Sequence, residues 1–61
     1  MSRKEIIHYM RENHVRGDFA IEDMADDLHG RDVEEIVEYM YDNNVRGDYD
    51  IEDMAEDIAE Y

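Results

Sequence analysis

The chain has 61 residues, no cysteine and no proline, and 19 Asp and Glu stand against 6 Lys and Arg for a formal charge of -13 at neutral pH. That length allows one domain, residues 1-61, with a small core, and the missing thiols exclude a disulfide scaffold and thiolate metal sites. No apolar run approaches the roughly 18 residues that span a bilayer, and Met1-Ser2-Arg3-Lys4-Glu5 leads into no hydrophobic signal core, so the cytoplasm is the expected compartment. With 41% charged residues, disorder is the first alternative. Periodicity decides against it.

Ser2 followed by Glu5 is a capping box, in which the hydroxyl and the carboxylate each serve an orphan amide of a helix start. A first helix is expected from Arg3, with Ile6, Ile7, Tyr9 and Met10 as its apolar stripe, ending at Asn13. His14 to Ala20 reads as loop, with Gly17 placed to take positive φ. Ile21, Met24, Ala25 and Leu28 give a second helix one buried face, and Gly30 ends it. Asp32 with Glu35 forms another capping box for a third helix carrying Val33, Ile36, Val37 and Met40, which fades at Asn43-Asn44. Asp50 caps a fourth, with Ile51, Met54, Ala55 and Ile58 facing inward. Strand signals are absent.

Laying residues 1-31 over 31-61 gives identity at 15 of 31 positions, among them all of Val-Arg-Gly-Asp and all of Ile-Glu-Asp-Met-Ala. A period near thirty residues reads as one supersecondary unit per repeat, too small to bury its apolar face alone. The expected fold is all-α: two tandem helix-loop-helix hairpins, repeats 1-30 and 31-61, packed as a compact four-helix unit with pseudo-twofold symmetry. The methionines at 10, 24, 40 and 54 sit at matched positions and are expected in the core.

Charge divides the halves. Residues 1-30 hold 4 basic and 7 acidic side chains, whereas residues 31-61 hold 2 basic and 12 acidic ones. Lys4, His8, Ala20 and Gly30 give way to Glu34, Glu38, Asp50 and Glu60 thirty positions later, so each change adds acid or removes base. Glu52, Glu56 and Glu60 recur at helical spacing with Asp53 and Asp57 in the adjoining row, and Glu34, Glu38 and Asp42 repeat the spacing on the third helix. Like charges at i, i+4 are destabilising, so something other than stability is expected to keep them. At about 1.5 Å rise per residue, five carboxylates over eleven helical residues give roughly one charge per 3.3 Å. One strand of B-DNA carries a phosphate every 3.4 Å or so.

Four resemblances bear on function. Asp42 to Asp53 is similar to an EF-hand or dockerin loop, with Asp42, Asn44, Asp50 and Asp53 at ligand positions and Gly47 at the turn, which implies weak Ca²⁺ binding. Arg46 stands where such a loop wants a carboxylate. Arg16-Gly17-Asp18 and Arg46-Gly47-Asp48 resemble the integrin tripeptide; read from the residues, glycine makes a turn while Arg and Asp satisfy loop groups. Ile-Glu-Asp-Met-Ala after a short loop resembles the first helix of a winged-helix DNA reader, yet direct nucleic-acid binding needs the Lys and Arg that this chain lacks. In size and composition the chain resembles small acidic helical inhibitors made by phages and plasmids against restriction, CRISPR or repair enzymes.

Catalysis has little to stand on. The one serine opens a helix, and His8, His14 and His29 show no metal-ligand spacing. The expectation is therefore a non-enzymatic DNA mimic without cofactor, membrane or direct nucleic-acid contact, which inhibits a nucleic-acid-processing enzyme by occupying its basic surface. The residues expected to carry it are Glu34, Glu38, Asp42, Asp48, Asp50, Glu52, Asp53, Glu56, Asp57 and Glu60, with Tyr41 and Tyr61 as aromatic anchors. A homodimer through the less charged first half would leave the acidic halves outermost. The alternatives are a structural or regulatory helical protein, acidic for solubility or halophily, and the weak Ca²⁺ binder.

Overall fold

A computed structural model describes residues 1-60; Tyr61, one of the expected anchors, lies outside the described residues. The chain forms α1 (Arg3–Glu12), α2 (Ile21–Leu28), α3 (Val33–Asp42) and α4 (Ile51–Glu60). There is no strand among the described residues, and no helix there is long and apolar enough to cross a membrane.

Both expected capping boxes form. Ser2 Oγ accepts from the Glu5 amide at 3.2 Å while the Glu5 carboxylate accepts from the Ser2 amide at 3.0 Å, and that backbone bond holds the Glu5 carboxyl below its usual range. Asp32 and Glu35 repeat the exchange at the start of α3, whereas Ala20 leaves α2 without a side-chain cap, and Asp50, expected to cap α4, accepts no side-chain hydrogen bond among the described residues and turns its carboxylate to solvent. Asp32→Ala is expected to cost about 1 kcal/mol, read as a downward shift of the urea midpoint at constant slope.

Each helical hairpin closes through a helix end that glycine does not make. The Asn13 amide returns to Tyr9 O, His14 takes φ 54°, and the Val15 amide reaches back to Met10 O at 2.8 Å. Asn43, Asn44 (φ 55°) and Val45 do the same over α3, with Val45 N to Met40 O at 2.9 Å. This is a Schellman closure whose left-handed residue is His or Asn. The expectation that Gly17 supplies positive φ is therefore corrected, since Gly30 is the glycine that does so, at φ 80°.

Gly17 and Gly47 are needed for close approach instead. A Cβ on Gly17 would stand 3.0 Å from Val45 Cγ2 and 3.1 Å from Asn43 O. One on Gly47 would meet Val15 Cγ2 at 3.0 Å, Asn13 O at 3.1 Å and Met54 Sδ at 2.9 Å. The two loops thus press together, and Arg16 and Arg46 exchange both backbone hydrogen bonds at 2.7 Å in an isolated antiparallel bridge. Asp18 N donates to Asn43 O and Asp48 N to Asn13 O, each at 2.9 Å, so the loop backbones are satisfied across the hairpins.

The core draws on every helix: Ile6, Met10, Met24, Ala25, Leu28, Ile36, Met40, Met54, Ala55 and Ile58 are buried, joined by Val15 and Val45 from the loops. The four methionines expected inside are fully buried. Val33, placed on the apolar stripe by spacing, is 38% exposed because it opens α3 at the edge of the packed region. The closest helix pairings are α1 with α2 and α3 with α4. The described chain measures 22 × 21 × 18 Å.

Candidate functional site

Helix α3 lies antiparallel beside α4. Val33, at the start of α3, lines a depression of about 480 Å³ with Glu56, Asp57, Ala59 and Glu60, at the end of α4. At the opposite end Tyr41 Oη donates to Glu52 at 2.9 Å. Burying Ile36 and Met40 on one side of α3, and Met54, Ala55 and Ile58 on one side of α4, turns the remaining rows to solvent. Glu34, Glu38 and Asp42 make the exposed row of α3; Asp53, Glu56 and Glu60 make that of α4, with Asp50 just before it.

These seven carboxylates have no hydrogen-bond or ion-pair partner among the described residues: three arginines and His8 are engaged with other acids, and Lys4, Arg16 and Arg46 reach no carboxylate there. Arg3 pairs with Asp26, Arg11 with Glu22, Arg31 with Glu35 and His8 with Glu12. Thirty positions earlier stand Lys4, His8, Glu12, Ala20, Asp23, Asp26 and Gly30, of which Asp23 alone is a carboxylate without such a partner among the described residues.

Three further expected residues are placed differently. Asp57 is half-buried and accepts from Tyr9 Oη at 2.6 Å, tying α4 to α1. Glu52 accepts from Tyr41, and Asp48 lies 3.0 Å from His14 Nδ1. The charges of Asp57 and Glu52 remain, since a neutral phenol neutralises nothing, but Asp57 cannot lead a contact with a partner. The freely presented row of α4 is therefore sparser than five carboxylates in line. Tyr41 is 58% exposed and stands on the acidic side.

Sequence spacing missed a set of tyrosine-carboxylate bonds. Tyr39 Oη donates to Asp27 at 2.7 Å, joining α3 to α2 as Tyr9 joins α1 to α4. Matched Tyr9 and Tyr39 one residue before core methionines were the available signal. Burial first, and then the adjacent carboxylate, push both phenols above the ordinary tyrosine range; Tyr41 is raised first by its bond to Glu52. A raised phenol pKa favours the folded state while the group is protonated. Stability is thus expected to hold below the unfolded tyrosine pKa of about 10 and to fall as pH rises beyond it. Tyr9→Phe should flatten that alkaline decline, followed by denaturation at stepped pH.

The Ca²⁺-loop resemblance finds no converging donors. Asn44 turns its amide to Asp18, at 3.1 Å from Oδ2, and no group of three or more His, Asp or Glu side chains is placed to hold a metal ion among the described residues. In the Arg-Gly-Asp segments the aspartates do serve loop groups, on Asn44 and His14, but the arginines do not.

No protein family, curated protein or solved structure matches this chain.

Proposed function

We propose that the chain is a non-catalytic protein-binding module of DNA-mimic type, which inhibits a nucleic-acid-processing enzyme by laying the outer rows of α3 and α4 on its basic surface. The observation that carries this is the segregation of charge. Arginines pair with Asp26, Glu22 and Glu35, while Glu34, Glu38, Asp42, Asp50, Asp53, Glu56 and Glu60 stand without such partners among the described residues. Unrelieved like charges destabilise a helix and are repaid when a partner supplies the opposite charge. Tyr41 supplies an exposed aromatic beside them.

The same reading takes the scaffold to be a duplicated hairpin with pseudo-twofold symmetry, one copy of which acquired the acid. Support lies in the reciprocal Arg16-Arg46 bridge and in the matched contacts of Gly17 and Gly47. The test is a low-salt pull-down from lysate with the wild-type chain beside a variant carrying Glu34→Gln, Glu38→Gln, Glu56→Gln and Glu60→Gln. A basic nucleic-acid-binding enzyme should be retained by the wild type alone and be released by NaCl. Equal capture by both chains would count against the proposal.

A further inference from the structure

Arg16 and Arg46 depart from the pattern that the other arginines follow. They face each other as the hydrogen-bonded pair of the bridge, with both backbone bonds at 2.7 Å. In such a pair the side chains leave the same face from α carbons about 5.5 Å apart, and like charges there repel. Both arginines are exposed, and neither reaches a carboxylate among the described residues of a chain with 19 Asp and Glu. The nearby acids are turned elsewhere, Asp18 to the Asn44 amide and Asp48 to His14. Arg16 and Arg46 line one depression of about 270 Å³ with Gly17, Asp18 and Asn44, and Gly17 contributes no side chain to fill it.

We propose that Arg16 and Arg46 together bind a phosphoryl dianion, either free phosphate or the phosphate of a small monoester. Two guanidinium forks offer two positive charges and paired donors that match the oxygens of a tetrahedral dianion. A monocarboxylate would leave one of the two charges unmatched. The chain's negative field is screened beyond about 8 Å at physiological ionic strength, so capture is local and, with Asp18 on the rim, weak. This site is independent of the acidic rows on α3 and α4.

The test is an NMR titration of the nitrogen-15-labelled full chain with sodium phosphate, sodium acetate and a nucleoside monophosphate, each against sodium chloride of equal ionic strength. Saturable shifts are expected at the Arg16 and Arg46 side-chain Nε–H signals and the Gly17 and Gly47 amides with phosphate, and roughly tenfold weaker ones with acetate. Tighter binding of the nucleotide assigns the site to a monoester, whereas equal or weaker binding assigns it to free phosphate. Arg16→Gln and Arg46→Gln should each weaken binding by about tenfold without lowering thermal stability, since the backbone bonds of the bridge remain. Shifts that match chloride in the wild-type chain, or saturable phosphate binding that survives in the R16Q/R46Q double variant, would overturn the assignment.

Discussion

Met54→Ala is expected to lose about 2–5 kcal/mol, the range for truncating a fully buried large side chain, and so to leave a domain of this size largely unfolded near room temperature. Met54 is fully buried, and its sulfur is the nearest atom, at 2.9 Å, to where a Cβ on Gly47 would stand. It therefore joins the α4 stripe to the contact between the loops. Gly47→Ala is expected to cost about 1–3 kcal/mol, because Met54 can turn aside while Asn13 O and Val15 Cγ2 belong to the facing loop. The two losses should not add, since truncating Met54 clears part of the space that the new methyl group needs. A double-mutant cycle by urea denaturation measures that coupling. Simple additivity would mean that the loops, rather than the core beneath them, set the cost at Gly47.

The second large effect concerns binding. In the fourfold variant with glutamine at positions 34, 38, 56 and 60, the like-charge pairs Glu34 with Glu38 and Glu56 with Glu60 vanish. Each pair is worth a few tenths of a kcal/mol, so stability should rise slightly, by about 1 kcal/mol or less in total. Affinity for a basic partner should instead drop by orders of magnitude, with the association rate falling first, because steering acts through the summed field. Opposite signs for stability and binding separate this account from one in which the acid merely keeps the fold in solution. A variant that loses stability as well as binding would place those carboxylates in the scaffold.

The helices were legible in the sequence because their signals are local. Ser2 with Glu5 and Asp32 with Glu35 mark two starts, and the stripes through Met10, Met24, Met40 and Met54 mark the buried faces. The loops were less so. Val15 and Val45 read as loop residues because no periodicity surrounds them, yet each follows a left-handed residue and drops into the core. The role of Gly17 and Gly47 depends on what lies across the gap, which spacing along one chain does not encode. At the candidate surface, spacing located the carboxylate rows of α3 and α4. It could not separate Asp57, drawn in by Tyr9, from Glu56 beside it, because that distinction comes from a hydrogen bond across to α1.

The central claim is that the acidic rows occupy a site made for nucleic acid, and competition tests it most directly. A basic enzyme retained by the wild-type chain is titrated with duplex DNA or RNA at fixed ionic strength while bound chain is followed by fluorescence anisotropy. The account predicts mutual exclusion, with the apparent affinity for the chain falling in proportion to added nucleic acid and the fourfold glutamine variant failing to compete. A ternary complex in which chain and nucleic acid are bound together at saturation would contradict it.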